Sequence, residues 1–260
     1  MIAVKEAVVL ASGLGRRLRG ATGGVPKCFH RIKGEPLIAY PIKAIRAAGI
    51  NRFDIVVSRA CGKSCSDASI EVVERLAGSS ASVCVTFNDR VEWGNAYSLM
   101  VARGCVEGER FIVSVCDSLY PPDAVLTLLK RAPPEADVVV AGSRCFDYVE
   151  VSEATKIKLG RDGAVAEIGK GVSDFDLIDI GLFVMKSTIF SLADKVPWGV
   201  REFSLFDLLM KGIEAGLDVR AVDLGYVPWT EIDTVDDLNE LLRGRRSEVL
   251  RAVRGVSPLG

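Results

Sequence analysis

The first residues able to do chemistry are two basic side chains and a run of glycines near the N-terminus. Between Ala11 and Pro26 the chain holds five Gly, and the stretch closes on Pro26-Lys27. Gly-rich backbone lets N–H groups approach phosphate oxygens closely. Arg17 and Lys27 add the positive charge that a triphosphate needs. The segment Leu10-Ala11-Ser12-Gly13-Leu14-Gly15-Arg16-Arg17-Leu18 follows an apolar, β-branched run. It therefore leaves the C-terminal end of a first strand, where parallel α/β sheets bind ligands. Two other glycine motifs do not fit. A dinucleotide fingerprint needs a third Gly where Leu18 stands, and a phosphate loop ending at Gly62-Lys63-Ser64 needs Gly where Val57 stands. A merely flexible surface loop explains the glycines but not the paired Arg17 and Lys27.

Transfer from a triphosphate calls for Mg²⁺ held by one to three carboxylates. Asp117 ends the apolar run Phe111–Cys116, a place that suits a metal better than a core; the alternative is an N-cap for a helix near Pro122, which Ser118 could also serve. In Glu231-Ile232-Asp233 both carboxylates point to one side of an extended segment and could share a cation. The alternative there is capping of the last amphipathic helix by Asp233 or Thr234. Asp179 interrupts the apolar strand Ile178–Met185, with Gly181 beside it leaving room for a ligand. A buried carboxylate is costly unless bonded, so a salt bridge to Lys170 or Lys156 is the other reading. Gly94, Asn95 and Ser98 open a helix after a loop, a setting suited to reading a base edge, unless Asn95 simply caps that helix. Ser58 and Arg59 could also touch a base. Trp93 and Trp229 serve equally as packing residues or site walls. Lys170 stands between two Gly, where its own surroundings read as a solvated turn.

These side chains need a scaffold, and periodicity supplies one. Strands are predicted over 6–10, 53–58, 82–87, 110–115, 137–141, 155–159, 164–168, 178–185 and 219–224. Helices are predicted over 37–48, 68–76, 96–103, 122–131, 204–215 and 235–242. The first 140 residues read strand–helix–strand, the sign of a parallel sheet covered on both faces. After about residue 150, Arg161-Asp162-Gly163 separates two short strand runs as in a hairpin, so the sheet becomes mixed. The stretch 243–260 carries five Arg and reads as a solvated helix and tail, or as a contact for a partner subunit in a homodimer.

Composition narrows the class. The chain has 260 residues, 49% hydrophobic and 26% charged, with a net charge of −1, which suits a globular domain and not a bulk binder of nucleic acid. No apolar run approaches the ~20 residues that span a bilayer. Lys5 and Glu6 interrupt the N-terminal apolar stretch, so it does not read as a signal peptide. There is no Gln, there are four Asn, and Arg (21) outnumbers Lys (12), which points to heat adaptation or to a GC-rich genome. The seven Cys form no CxxC pair and His30 is the only His, so a Cys/His zinc site is not expected. The Cys read as small buried hydrophobes in a reduced cytoplasm, although Cys61 and Cys65 are close enough in sequence to pair.

The opening loop resembles the signature L-A-[AG]-G-x-G-[ST]-R-L…P-K of nucleotidyltransferases acting on sugar phosphates and related alcohol phosphates. Ser12 and Arg16 depart from it, and Arg16 could change how a triphosphate tail sits. Further along come Trp93-Gly-Asn-Ala-Tyr-Ser-Leu99, Glu153-Ala-Thr-Lys-Ile157, Ile168-Gly-Lys170, Phe175-Asp-Leu-Ile-Asp-Ile-Gly181 and Trp229-Thr-Glu-Ile-Asp-Thr234. This series is similar to the archaeal CTP:inositol-1-phosphate cytidylyltransferases and covers roughly residues 5–242. The resemblance implies a three-layer α/β/α fold with a mixed, mainly parallel sheet of the nucleotide-diphospho-sugar transferase (GT-A-like) kind. It implies one domain over 1–242, with a nucleotide-binding part at about 1–140 and an acceptor-binding part at about 141–242, followed by the basic tail 243–260.

The same resemblance implies CTP bound by Leu10, Ala11, Ser12, Gly13, Gly15, Arg16, Gly94, Asn95 and Ser98. Lys27 would meet the α-phosphate and Arg17 the β/γ end. Asp117, Asp233 and Glu231 would hold Mg²⁺. Lys170, Asp179 and Gly181 would bind inositol 1-phosphate. A phosphate oxygen of the acceptor would attack the α-phosphorus in line, needing no general base because it is already ionised. In many family members a membrane-embedded phosphotransferase domain follows, so here that activity is expected in a separate membrane protein, and this chain in the cytoplasm. Another acceptor, a hexose 1-phosphate or phosphocholine, is the alternative, although a choline site needs an aromatic cage and aromatics are 7% of the chain. A non-catalytic nucleotide-binding regulator is disfavoured by the joint presence of Arg17, Lys27, Asp117 and Asp233.

Overall fold

A computed structural model describes residues 2–77 and 81–255, apart from the side chains of Arg19 and Ala77. The strands are β1 (Glu6–Ala11), β2 (Arg31–Ile32), β3 (Glu35–Pro36), β4 (Arg52–Ser58), β5 (Ser82–Asn88), β6 (Arg110–Val115), β7 (Ser118–Leu119), β8 (Val138–Ser143), β9 (Lys156–Leu159), β10 (Val165–Gly169), β11 (Leu177–Lys186), β12 (Val219–Asp223) and β13 (Thr230–Glu231). The helices are α1 (Arg19–Thr22), α2 (Ala39–Ala47), α3 (Gly62–Ala77), α4 (Asn95–Val101), α5 (Pro122–Arg131), α6 (Leu205–Glu214), α7 (Val235–Arg243) and α8 (Ser247–Arg254).

One nine-stranded sheet runs β10-β9-β11-β6-β1-β4-β5, with β8 pairing β11 and β12. Strands β6, β1, β4 and β5 are parallel, whereas β11 runs antiparallel to β6, β8 and β9. The sheet is thus mixed, with the change of direction in its later half. Period-2 alternation explains the layers. In β1, Ala7, Val9 and Ala11 enter a core shared with Ile42 of α2, Val73 of α3 and Leu128 of α5. Val8 and Leu10 enter the opposite core with Leu99 of α4 and Leu208 of α6. No helix among the described residues is long and apolar enough to cross a membrane.

Three expectations change. Helix α3 begins at Gly62, not Ala68, because its first turns are polar and show no apolar stripe. Gly62-Lys63-Ser64 is therefore helical. The segment expected as a solvated helix and tail forms α8, but this helix is not solvated all round: its Val249, Leu250 and Val253 are buried beside Leu18, Leu119, Ile232 and Leu241. Its apolar residues recur at helical spacing, and the surrounding arginines mask that stripe; residues 256–260 of the tail lie outside the described residues. Finally, Cys61 pairs with Cys65 and Cys84 with Cys105, leaving Cys28, Cys116 and Cys145 as the free buried thiols.

Candidate active site

The C-terminal ends of β1 and β6 and the first half of β11 open on a cleft of about 670 Å³. Leu10, Ser12, Gly13, Gly15, Arg16, Arg17 and Lys27 line it from the first loop, and Gly94, Asn95 and Ser98 from the start of α4. Asp117, Lys170, Asp179, Gly181, Glu231 and Asp233 form part of the wall as well. Of the residues expected in the glycine loop and its phosphate-binding set, Ala11 does not line the cleft. It faces the core, and its carbonyl accepts from the Cys28 thiol at 3.6 Å.

Lys27 is the buried centre of this arrangement. Its Nζ lies 2.6 Å from Asp117 Oδ2 and also pairs with Asp233 Oδ1, while Arg17 donates to Asp233 Oδ2 at 2.8 Å. Burial alone would lower the affinity of Lys27 for its proton; the two carboxylates outweigh it and hold the ammonium charged. The lysine can pass here because Gly15 has φ +54 and no side chain, and a Cβ there would stand 2.7 Å from Lys27 Cβ.

A two-strand ribbon brings the carboxylates together. Glu231 of β13 is opposite Ser118 of β7, and Ile232 N donates to the Asp117 carbonyl at 3.1 Å. Neither aspartate is consumed as a cap. Pro121 precedes α5 with no side-chain cap, and Thr234 caps α7 in a reciprocal box with Asp237. Burial tends to raise Asp233, but the Lys27 ammonium overrides this and holds its carboxyl below the usual range. Glu231 is pushed up to about 7 by burial, then by Asp233 and Asp117. Two carboxylates from different elements already converge on one cation, with a third carboxyl beside them, and all the donors are hard oxygens. That set fits a divalent cation such as Mg²⁺.

Asp179 sits at a register break in β11. Gly181 has φ +72, and a side chain there would meet Val115 and Ser118. Such a bulge re-aims a side chain out of the ladder. Asp179 Oδ1 accepts from Gly181 N at 3.0 Å, and burial pushes the carboxyl up to about 8. The expected lysine partners are engaged elsewhere. Lys156 donates to the Lys170 carbonyl at 2.7 Å, and Lys170 pairs with Glu153 at 3.7 Å.

The base side differs from expectation. Ser98 Oγ is buried, 2.6 Å from Ser12 Oγ and 3.0 Å from Asn88 Nδ2. Asn95 Oδ1 accepts from Leu205 N at 2.7 Å, so it caps α6 rather than its own helix. Ser58, Arg59, Trp93 and Trp229 do not line the cleft. Arg59 lies over Phe87, Trp93 packs edge-on to Tyr97 and Trp229 is buried. Glu153, Thr155 and Glu202 line the cleft without having been singled out. The first two fall inside the Glu153–Ile157 motif; Glu202 has no sequence signal.

A buried lysine joined to two aspartates, at the strand ends of a mixed three-layer α/β/α sheet and behind a glycine loop, defines a nucleotidyltransferase-type fold and cleft. The chain belongs to the MobA-like NTP transferase family, whose model matches residues 7–149. Among solved structures it is similar to the inositol-1-phosphate CTP transferase from T. maritima, at 33% identity and TM-score 0.87, covering 98% of this chain and 99% of that one. Among curated proteins it is 34% identical to a bifunctional IPC transferase and DIPP synthase of Archaeoglobus fulgidus, over 98% of this chain and 46% of that protein. A protein of the same description from Rubrobacter xylanophilus is 32% identical over 89% of this chain and 50% of its own length. The chain thus spans about half the length of these curated relatives.

Proposed function

We propose that this chain transfers the cytidylyl group of CTP to inositol 1-phosphate, giving CDP-inositol and pyrophosphate. The observation that carries the chemistry is the convergence of Lys27, Arg17, Asp117 and Asp233 at one point of the cleft. Likeness to the T. maritima transferase, which extends through the later half of the chain, supports inositol phosphate as the acceptor.

On this reading a phosphate oxygen of inositol 1-phosphate attacks the α-phosphorus of CTP, a new P–O bond forms, and the bond to pyrophosphate breaks. The nucleophile is already ionised, so no side chain removes a proton. Lys27 neutralises the α-phosphate, and Arg17 and Arg16 neutralise the β and γ phosphates. The glycine loop brings backbone N–H groups to the triphosphate. Asp117 and Asp233, with Glu231 beside them, hold Mg²⁺, which when bound supplies charge neutralisation to the phosphates. Asp179 orients inositol hydroxyls and Lys170 the acceptor phosphate, so that the two substrates meet in line. The nucleotide part is about 1–140 and the acceptor part about 141–242. The product is an activated alcohol for a CDP-alcohol phosphotransferase step, in the synthesis of di-myo-inositol phosphate solutes.

Pyrophosphate release measured with each of the four NTPs against inositol 1-phosphate, hexose 1-phosphates and phosphocholine tests this. Release only with CTP and inositol 1-phosphate is expected; turnover of a hexose 1-phosphate or phosphocholine in preference would replace the acceptor, and no release with any pair would end the assignment.

A further inference from the structure

The segment that carries Glu231 and Asp233 is braced from outside the cleft. Arg246 stands just before α8, its side chain 11% exposed, and its Nη1 lies 2.6 Å from Asp237 Oδ1. The same nitrogen donates to the Glu231 carbonyl at 3.1 Å. The other oxygen of Asp237 accepts from Asp233 N at 2.9 Å and from Thr234 N at 2.8 Å. One guanidinium therefore reaches the backbone on both sides of Ile232, once directly and once through a single carboxylate. Arg246 is not among the residues that line the cleft.

Stability alone is a weak reason for such a pair. Two charges that are both largely buried lose most of their attraction to desolvation, and apolar residues of equal size would hold α7 and α8 together as well. What an ion pair with several directed bonds adds is fixed geometry. Helix α8 supplies the anchor for that geometry. Val249, Leu250 and Val253 seat it in the core, and Glu248 accepts from the Tyr148 hydroxyl at 2.6 Å.

We infer that Arg246 is a positioning residue, which sets the place of the Asp233 carboxylate through Asp237 and the Glu231 carbonyl, and thereby the affinity of the cleft for its divalent cation. The inference rests on the proposed role of Asp233 as a metal ligand. Partners one step removed from a ligand typically change metal affinity about 10–100-fold when removed.

The test uses the full chain with Mn²⁺ as the probe and an unreactive CTP analogue. Water-proton relaxation distinguishes Mn²⁺ in the ternary complex from Mn²⁺ on free nucleotide. Asp233→Asn comes first. If it binds Mn²⁺ as tightly as the wild type, the ligand role fails and the inference falls with it. If it weakens binding, Arg246→Ala is expected to weaken Mn²⁺ about tenfold, and Arg246→Lys, which keeps the charge but not the planar fork, severalfold. Val253→Ala loosens the same helix without touching Asp237; it should lower the melting temperature and leave Mn²⁺ affinity at the wild-type value. Wild-type affinity in Arg246→Ala, or an equal loss in Val253→Ala, overturns the inference with the ligand role intact. Should Arg246→Ala not fold, Arg246→Lys decides: wild-type affinity there overturns it.

Discussion

Lys27 Nζ lies 2.6 Å from Asp117 Oδ2 across 90 residues of sequence. The contact joins the end of the glycine loop to the end of β6, and Asp233 closes it from a third element. A cation buried among carboxylates keeps its charge, and that charge faces the cleft in which a triphosphate would lie. Truncating Lys27 to alanine should leave Asp117 without its cation and Asp233 with Arg17 alone. Lys27→Ala is expected to lower turnover ~10³-fold, the scale of losing a major transition-state contact. Steady-state pyrophosphate release, with circular dichroism to check folding, measures it. A near-normal rate would remove Lys27 from the mechanism.

Asp179 makes stability depend on pH. Its carboxyl is held up to about 8, above an ordinary value of 3.8. The folded state therefore binds the proton more tightly than the unfolded chain does. Stability is fully present below pH 3.8 and falls as pH rises toward about 8, above which this contribution is flat. Asp179→Asn keeps an oxygen for the Gly181 amide and removes the titration. Melting curves should show the variant gaining on the wild type steadily between pH 5 and pH 8. A pH-independent difference would refute the assignment.

Gly94 turns the chain into α4 at φ +94, with its Cα against the Phe203 carbonyl. Ala96 N donates to that same carbonyl at 3.2 Å, so neither strand of backbone can step aside easily. Gly94→Ala should destabilise the fold by about 3 kcal/mol, combining a strained φ with overpacking. Urea unfolding gives the number; a loss under about 1 kcal/mol would mean that the contact relaxes freely.

Chelation tests the carboxylate set. EDTA is expected to abolish pyrophosphate release and Mg²⁺ to restore it. Asp233→Asn should raise the Mg²⁺ concentration for half-maximal rate by about tenfold or more. Full activity in EDTA would leave Asp117 and Asp233 as ion-pair partners of Lys27 and Arg17, with no metal role.

Much of this site was legible in the sequence because polar and glycine residues stand out at the ends of apolar runs. Asp117 and Asp179 are conspicuous for interrupting or ending such runs, and both line the cleft. Asn95 and Ser98 stand out instead for opening a helix after a loop, yet their partners are Leu205 and Ser12, which no local pattern connects. The burial of helix α8 is not legible, because charge density in a short stretch hides an apolar stripe of three residues.

The sequence by itself determined the order of the nine strands of the main sheet and of helices α2 to α7, and the chemical types gathered at strand ends. These are local properties of side chains and backbone. Only the tertiary structure decided which of those ends meet. Lys27, Asp117 and Asp233 become one electrostatic unit, Asp179 is turned into the cleft by a bulge at Gly181, and Arg246 is carried under Glu231 by a helix that local reading assigns to solvent. Each depends on chain segments far apart in sequence, brought within a few ångströms by burial of the cores between them.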